Sequence, residues 1–235
     1  MRLAMCHLGG RPARVLDHGA GTGLVGRLLK RSNPNVDLVA LDPNTELLAA
    51  IDSGDYVEQI QGTAGSMPST AGPFDLVVSN LVLPFCPDAC ADLVSLRGQT
   101  MTSGALVTTT LGTAFDVTPF HRYWSSVADV IADAWEPDRY PHHRFGNADV
   151  LANTISAAGW NVVAVRPVKA ARRISAERAW TWLSSVLPVG VGEGYRPLED
   201  EEVAAVRSHF LGRWADQNVW RSAGWTAFAE ESKQK

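Results

Sequence analysis

The chain has 235 residues, of which 46% are hydrophobic and 20% are charged. This length and composition are typical of one α/β domain with insertions around a single core, and they exclude disorder over most of the sequence. The formal net charge of -4 provides no attraction for phosphate backbones, so we expect no nucleic-acid partner.

Cysteine usage and hydropathy indicate the environment of the protein. Cys6, Cys86 and Cys90 are odd in number and have no C-x-x-C spacing, so neither a disulfide framework nor a zinc site is indicated, and we predict no metal. No run approaches the roughly 20 apolar residues of a membrane helix, and the N-terminus lacks the apolar stretch of an export signal. We therefore expect a soluble, cytoplasmic protein without a membrane partner.

The first half of the chain alternates short β-branched runs with helical patterns, which is typical of a parallel sheet with crossover helices. Strands are predicted near residues 14–17, 37–41, 57–61, 75–79 and 105–111. Helices are predicted over residues 23–32, 44–51 and 88–97. Asp88 can cap the third of these helices, and Arg97 suits its negative C-terminal end.

Residues 113–146 interrupt this alternation with aromatic side chains among Pro, His and charged residues, and we predict a substrate-side lid. Two interpretations of these aromatic residues stay open: they pack a small core of the insertion itself, or they line a substrate pocket. The aromatic residues are Phe115, Phe120, Tyr123, Trp124, Trp135, Tyr140 and Phe145.

The α/β pattern then resumes. We predict a helix over 147–158 that ends at Gly159, a sixth strand at 161–165, helices over 175–186 and 198–214, and a last strand near 225–230. The prediction is a single domain over residues 1–235, with a substrate-side insertion at 113–146 and a helical insertion at 167–222.

The strongest chemical signal is a glycine-rich turn between the first strand and the first long helix. Residues 17–23 read D-x-G-x-G-x-G. Glycine is needed where a ligand approaches the backbone closely and where the turn adopts positive φ. Residues 21–26 also satisfy the G-x-G-x-x-G pattern of dinucleotide enzymes, which alone is weak evidence. Asp42, at the end of the second strand, can accept hydrogen bonds from the ribose hydroxyls of a dinucleotide or of another nucleoside cofactor.

Asp17 and the fourth strand distinguish the two kinds of nucleotide site. The D-x-G-x-G-x-G loop, Asp42 and the run F-D-L-V-V-S-N-L-V-L at 74–83 together resemble class I S-adenosylmethionine-dependent methyltransferases, particularly the small-molecule branch similar to ubiquinone and menaquinone biosynthesis methyltransferases. The resemblance covers roughly residues 12–112. It implies a Rossmann-like, mostly parallel seven-stranded sheet with helices on both faces and an antiparallel last strand.

The resemblance also implies a binding site for S-adenosyl-L-methionine. The implied cofactor-binding residues are Asp17, Gly19, Gly21, Gly23, Asp42, Pro43, Thr63, Ala64, Asn80 and Leu81. The three glycines would line the methionine portion and Asp17 would hold its ammonium group, while Asp42 would bind the ribose and Pro43 one face of the adenine.

The remaining implied contacts come from the third and fourth strands. Thr63 and Ala64 would meet the adenine edge, and Asn80 and Leu81 would flank the methionine and the transferable methyl group. The family often has Asp where this chain has Thr63, and it commonly has a histidine after the fourth strand, where residues 83–85 read Leu-Pro-Phe. His18 is an unusual polar residue inside the glycine-rich motif, and we interpret it as a hydrogen-bonded structural histidine.

Methyl transfer from a sulfonium is an in-line displacement that depends mainly on orientation of donor and acceptor. A hydroxyl acceptor would also need a general base, for which histidine is the natural candidate. His121 and His143 are the predicted catalytic residues, with His121 preferred because Pro119 can begin a helix on which aromatic residues lie near it. For each histidine, a surface or structural role is the alternative.

Three other functions stay open at this point. The chain could be a nonmethylating cyclase or other biosynthetic enzyme on a methyltransferase fold, an NAD-dependent oxidoreductase, or a noncatalytic binding module. Residues 1–11 provide at most one or two helical turns, whereas related enzymes usually carry N-terminal helices over the cofactor. Three alternatives stay open: the 113–146 insertion and the helices of 175–214 cover the site, a second subunit covers it, or the site is open and binds weakly. A homodimer is therefore worth testing. The expected substrate is a small molecule.

Overall fold

The computed structural model describes residues 2–52, 54–111, 119–131, 144–186, 198–216 and 219–231. The chain divides into two compact units. The first unit comprises Met1–Thr110, Ala148–Arg166 and Thr226–Lys235, and the second unit comprises Leu111–Asn147 and Pro167–Trp225.

Seven strands form one sheet with the order β3-β2-β1-β4-β5-β7-β6. The strands are β1 (Ala13–His18), β2 (Val36–Asp42), β3 (Glu58–Gln61), β4 (Phe74–Asn80), β5 (Thr100–Leu111), β6 (Trp160–Arg173) and β7 (Val219–Glu231). Strands β1 to β5 pair in parallel, and β7 is antiparallel. This arrangement confirms the predicted fold class, including the antiparallel last strand.

Eight α-helices lie among the described residues. They are α1 (Arg2–Leu8), α2 (Leu24–Ser32), α3 (Thr45–Ala49), α4 (Ala89–Gly98), α5 (Pro119–Val130), α6 (Ala148–Ala157), α7 (Ala176–Val186) and α8 (Asp200–Trp214). Gly159 follows α6 with φ +84°, as its predicted capping role requires. No helix in the described part of the chain is long and apolar enough to cross a membrane.

The central strands are buried on both faces, which explains their continuous apolar runs. Leu38, Val39, Ala40 and Leu41 of β2 are all fully buried, although neighbouring side chains of a strand point to opposite faces. Strands with both faces covered by helices carry such runs instead of an alternating pattern. The first unit therefore has its core on both sides of the sheet.

The second unit has an aromatic core between its helices. Trp180 of α7 packs on Tyr123 of α5 and on Phe210 of α8, with ring centroids 5.4 and 5.6 Å apart respectively. Trp124 meets Tyr123 edge-on and is also buried. These two aromatic residues of the 113–146 segment thus pack a core shared with α7 and α8, which is not a core of the segment alone. The rest of that segment lies mostly outside the described residues.

Candidate functional site

The glycine-rich loop connects β1 to α2 at the point where the strand order reverses. Strand β1 lies between β2 and β4, so the chain winds in opposite directions on its two sides. Open α/β sheets bind ligands at the carboxyl ends of the strands at this position. The amides of Gly19 and Ala20 both donate to the carbonyl of Leu41, at 2.7 and 3.1 Å, and fix the loop against the end of β2.

The three glycines of the loop all have positive φ, but their surroundings differ. Their φ values are +67° at Gly19, +55° at Gly21 and +78° at Gly23. A Cβ at Gly19 would lie 2.3 Å from Cγ2 of Val82, and one at Gly23 would lie 3.1 Å from the Tyr56 ring. A Cβ at Gly21 would meet no protein atom within 4 Å. The bare α-carbon of Gly21 therefore faces open space, where a ligand could approach the backbone.

Asp42 holds the loop from the end of β2. It is only 7% exposed. Its Oδ2 accepts from the amide of Gly21 at 2.8 Å, and its Oδ1 accepts from the amide of Asn44 at 2.9 Å. Each carboxylate oxygen has two lone pairs, so both oxygens keep capacity to accept a further hydrogen bond. Asp42 can therefore organise the loop and bind a hydroxyl at the same time.

Asp17 lies buried beneath the loop. Its Oδ2 accepts from the hydroxyl of Tyr56 at 2.6 Å and from the amide of Gly26 at 3.1 Å. Burial raises the pKa of Asp17 to about 6, against the opposing effect of these two donors. Burial, and then the neighbouring Asp17, also raise the pKa of Tyr56. The predicted contact of Asp17 with an ammonium group stays a prediction, because the contacts that Asp17 makes here are with the protein itself.

Tyr56 and Gly26 are parts of this site that the sequence analysis missed. A Cβ at Gly26 would lie 1.9 Å from the Tyr56 hydroxyl, so the absence of a side chain there makes room for the Tyr56–Asp17 hydrogen bond. The third glycine of the G-x-G-x-x-G pattern could have indicated this close approach. Nothing in the sequence around Tyr56 indicates its role.

The remaining predicted cofactor residues follow the next strands at the same edge of the sheet. Pro43 follows β2 and is exposed, and exposed Thr63 begins a 3₁₀ turn after β3 that contains buried Ala64. Asn80 ends β4 and is exposed. Because β1 to β4 run in parallel, the tertiary structure brings all these positions to one edge.

Leu81 directly follows β4 and has an unusual backbone conformation. Its φ is +64°, and it is the only non-glycine residue with positive φ among the described residues. Such a conformation is disfavoured for a side chain branched beyond Cβ and is often found at functional sites. Its amide donates to the carbonyl of Thr109 at 2.8 Å, which holds the conformation in place.

His18 is hydrogen-bonded and buried, as the structural interpretation predicted. It is 4% exposed, and its Nδ1 lies 3.1 Å from Oγ of Ser79. Burial lowers the pKa of His18 to about 4. The predicted catalytic histidines are not tested: His143 lies outside the described residues, and His121 lies in α5 but its side chain is not described.

The strand order and the loop define the class of protein: a doubly wound α/β domain with a glycine-rich loop at the switch point between β1 and β4, where sheets of this kind bind nucleotides. Residues 15–96 match a family model described as "Methyltransferase domain". Over these residues, about a third of the chain, the protein is similar to methyltransferase domains, which supports the predicted family.

Curated relatives match part of the chain. The malonyl-[acyl-carrier protein] O-methyltransferase of Pseudescherichia vulneris is 29% identical over 148 residues, which are 63% of this chain and 54% of the relative. The protein of the same name from Gallionella capsiferriformans is 32% identical over 112 residues, 43% of this chain and 39% of the relative. The matches thus span about half or less of these relatives' length.

Solved structures of similar fold include methyltransferases and a cyclase. An S-adenosylmethionine-dependent methyltransferase from Methanosarcina mazei has a TM-score of 0.58 at 11% identity, covering 100% of this chain and 99% of that one. The [4+2]-cyclase SpnF has a TM-score of 0.61 at 17% identity, covering 99% of this chain and 82% of that one. At these identities the likeness concerns the fold alone.

The predicted cofactor is S-adenosylmethionine, which the match to a methyltransferase domain supports. The residues present fit this group: Gly21 leaves open space at the loop, and Asp42 offers carboxylate oxygens at the end of β2. Which side chains contact which part of the cofactor stays a proposal.

Proposed function

We propose that this protein transfers a methyl group from S-adenosylmethionine to a small-molecule acceptor, a biosynthetic intermediate. The observation that carries the proposal is the loop of residues 17–23 at the switch point of the sheet. There the amide of Gly21 donates to Asp42, and the space beside the Gly21 α-carbon is open. Bound S-adenosylmethionine supplies an electrophilic methyl group on its sulfonium sulfur.

The chain's own residues would mainly bind and orient. We propose that Asp42 accepts the ribose hydroxyls, that Gly19, Gly21 and Gly23 line the methionine portion, and that Asp17 acts on the ammonium group directly or through water. Orientation of this kind is worth about 7–11 kcal/mol when the bound geometry is close to that of attack.

The adenine and the methyl group would be bounded by the ends of the next strands. Pro43 would lie against one face of the adenine, and Thr63 and Ala64 would meet its edge. Asn80 and Leu81 would flank the methionine. The positive φ of Leu81 supports this proposal, because such backbone conformations occur where a binding site requires them.

The first test is direct detection of the cofactor and of methyl transfer. We expect mass spectrometry of the purified protein to detect S-adenosylmethionine or S-adenosylhomocysteine, and incubation with methyl-labelled donor to label an acceptor. Binding of a nicotinamide dinucleotide instead would contradict the cofactor. A nonmethylating cyclase or other biosynthetic enzyme on the same fold would leave the acceptor unlabelled, whether or not it keeps the cofactor.

The relatives suggest a candidate acceptor to test first. Their name describes O-methylation of a malonyl group on an acyl-carrier protein. We propose malonyl thioesters as first acceptors, offered both as a free small thioester and on a carrier protein. Labelling of the free thioester supports a small-molecule acceptor, whereas labelling of the carrier-bound form alone identifies a protein-borne acceptor.

We further propose that His121 is the general base if the acceptor is a hydroxyl, with His143 as the second candidate. A base of this kind contributes roughly 10²- to 10⁴-fold. We predict that His121→Ala lowers turnover of a hydroxyl acceptor by at least that lower bound while calorimetry shows unchanged cofactor affinity. An unchanged rate would remove His121 from the mechanism.

The assembly and the domain plan are further proposals. We propose one domain over residues 1–235, with a substrate-side insertion at 113–146 and a helical insertion at 167–222 before the last strand, working in the cytoplasm, with a homodimer as the assembly to test. Sedimentation velocity with and without S-adenosylmethionine measures the oligomeric state, and a dimer that forms only with cofactor would support a second subunit covering the site.

A further inference from the structure

Three potential metal ligands from different parts of the sequence lie together in the first unit. His18 ends β1, Cys86 follows the 3₁₀ turn Leu83–Phe85, and Asp92 lies in the first turn of α4. One ligand atom from each side chain lies within 4.8 Å of the other two. We call this group the His-Cys-Asp cluster.

The composition of the cluster favours a zinc-like divalent ion. Imidazole, thiolate and carboxylate are the three side-chain ligands that Zn²⁺ prefers, and three protein ligands leave a fourth tetrahedral position open. A divalent cation with one thiolate and one carboxylate forms a neutral site, which reduces the cost of burying the charges. His18 and Cys86 are buried, at 4% and 7% exposure, whereas Asp92 is partly exposed and gives an ion access from solvent.

His18 is also oriented as a metal ligand would be. Its Nδ1 lies 3.1 Å from Oγ of Ser79, which is fully buried. Histidines that bind metals usually use their other ring nitrogen in such a hydrogen bond, which fixes the tautomer and the ring plane. This arrangement leaves Nε2 as the ligand atom.

The sheet beneath the cluster carries a second, independent signal. His18, Ser79 and Thr108 are register partners across β1, β4 and β5, so they form one row of buried polar side chains across three strands. Thr108 is fully buried, and its Oγ1 has no hydrogen-bond partner. Burying polar groups in this way costs stability unless a polar partner compensates. A polar ligand next to this row provides a reason for it.

We propose that His18, Cys86 and Asp92 bind one zinc-class divalent metal ion, with a water molecule as fourth ligand. Binding replaces the thiol proton of Cys86, which is released to solvent, and forms bonds to sulfur, nitrogen and oxygen. The ion joins the end of β1, directly before Gly19, to the start of α4. Nothing in the spacing of the three residues along the sequence reveals the site.

Metal content tests the proposal without depending on activity. The full-length protein is loaded with ZnCl₂, dialysed and assayed for zinc, and we expect about one ion per chain. Cys86→Ser and Asp92→Asn change one ligand atom each and are expected to lower zinc affinity at least 10-fold. Cys90→Ser, in α4 but outside the cluster, is the matched control and should keep the zinc.

Cobalt substitution identifies the ligand atoms. Co²⁺ bound by Cys86 should give a thiolate-to-metal charge-transfer absorption that disappears in Cys86→Ser and persists in Cys90→Ser. Circular dichroism of each variant with a chelator present checks that it folds, and Asp92→Asn, at a partly exposed position, provides a second variant if Cys86→Ser unfolds. Equal zinc retention by wild type, Cys86→Ser and Asp92→Asn, no retention by any of them, or no thiolate band would overturn the proposal.

Discussion

Gly19, Gly21 and Gly23 share a positive φ, yet the structure assigns different reasons to them. Gly19 and Gly23 are packed against Val82 and Tyr56, so a side chain there would collide with the protein. Gly21 has free space above its α-carbon. A pattern of glycines therefore reveals a tight loop, while only the surrounding atoms show at which glycine the space for a side chain is open.

This difference predicts that two alanine substitutions act mainly on different properties, one on ligand binding and the other on stability. Gly21→Ala should cost about 1–2 kcal/mol of stability from its backbone conformation alone, and weaken S-adenosylmethionine binding at least 10-fold, because the new methyl group occupies the ligand's space. Gly19→Ala adds about 1–3 kcal/mol of overpacking against Val82. Urea unfolding and calorimetric binding measure the two effects. A Gly21→Ala protein that binds the cofactor normally would show that the ligand lies elsewhere.

A second prediction at the residue scale concerns Asp42. Asp42→Asn replaces one carboxylate oxygen, which accepts hydrogen bonds, by an NH₂ group, which donates them. The two oxygens of Asp42 accept from the amides of Gly21 and Asn44, so one of these two hydrogen bonds is lost. Loss of a charged hydrogen bond costs about 1.5–3 kcal/mol, so we expect cofactor affinity to fall about 10- to 100-fold by calorimetry. Asp37→Asn, on the exposed side of the same strand, is the matched control. Equal affinities of the two variants would rule out Asp42 as the ribose ligand.

At the scale of elements, the predictions from sequence agreed best with the structure where a capping side chain begins a helix. Asp88 accepts from the amide of Ala91 at 2.9 Å and begins α4 as predicted. Predicted strands were less complete: β6 continues to Arg173 instead of ending at residue 165, and β7 begins at Val219 instead of near 225. The extension of β6 is exposed, so no apolar pattern marks it.

The cap of α4 gives a prediction that depends on the helix alone. Asp88→Ala removes the acceptor for an otherwise unpaired amide and should lower the free energy of unfolding by about 1 kcal/mol, within a range of about 0.5–2. Asp88→Asn keeps a capping oxygen and should recover most of the loss. Urea denaturation of the three proteins provides the measurement. An alanine variant as stable as wild type would mean that solvent satisfies the amide equally well.

At the scale of the whole molecule, the sheet order places the ends of β1, β2, β3 and β4 at one edge. The proposed cofactor residues all come from these four ends in the first unit. The aromatic core of Tyr123, Trp180 and Phe210 belongs to the second unit, which has its own packing. The proposed cofactor site is therefore formed by strand ends and loops of the first unit.

Binding at this edge should stabilise the folded protein. A ligand that binds only the native state at 100 times its Kd contributes about 2.7 kcal/mol. We expect S-adenosylmethionine to raise the thermal midpoint in a concentration-dependent manner, while NAD at the same concentrations leaves it unchanged. Calorimetric scans with each ligand make the comparison. A rise with NAD alone would favour the dinucleotide alternative that the residues 21–26 pattern left open.

The sequence alone determined the alternation of strands and helices in the first 112 residues, the glycine loop and the resemblance to methyltransferases, because these depend on local patterns of apolar residues, glycines and caps. Only the tertiary structure decided which residues that are distant in the sequence contact each other. Tyr56 meets Asp17, and His18 lies near Cys86 and Asp92, only because loops and a helix that pack against the sheet bring distant residues together. Side-chain contacts of this kind depend on register and packing across the sheet, and no local pattern encodes them.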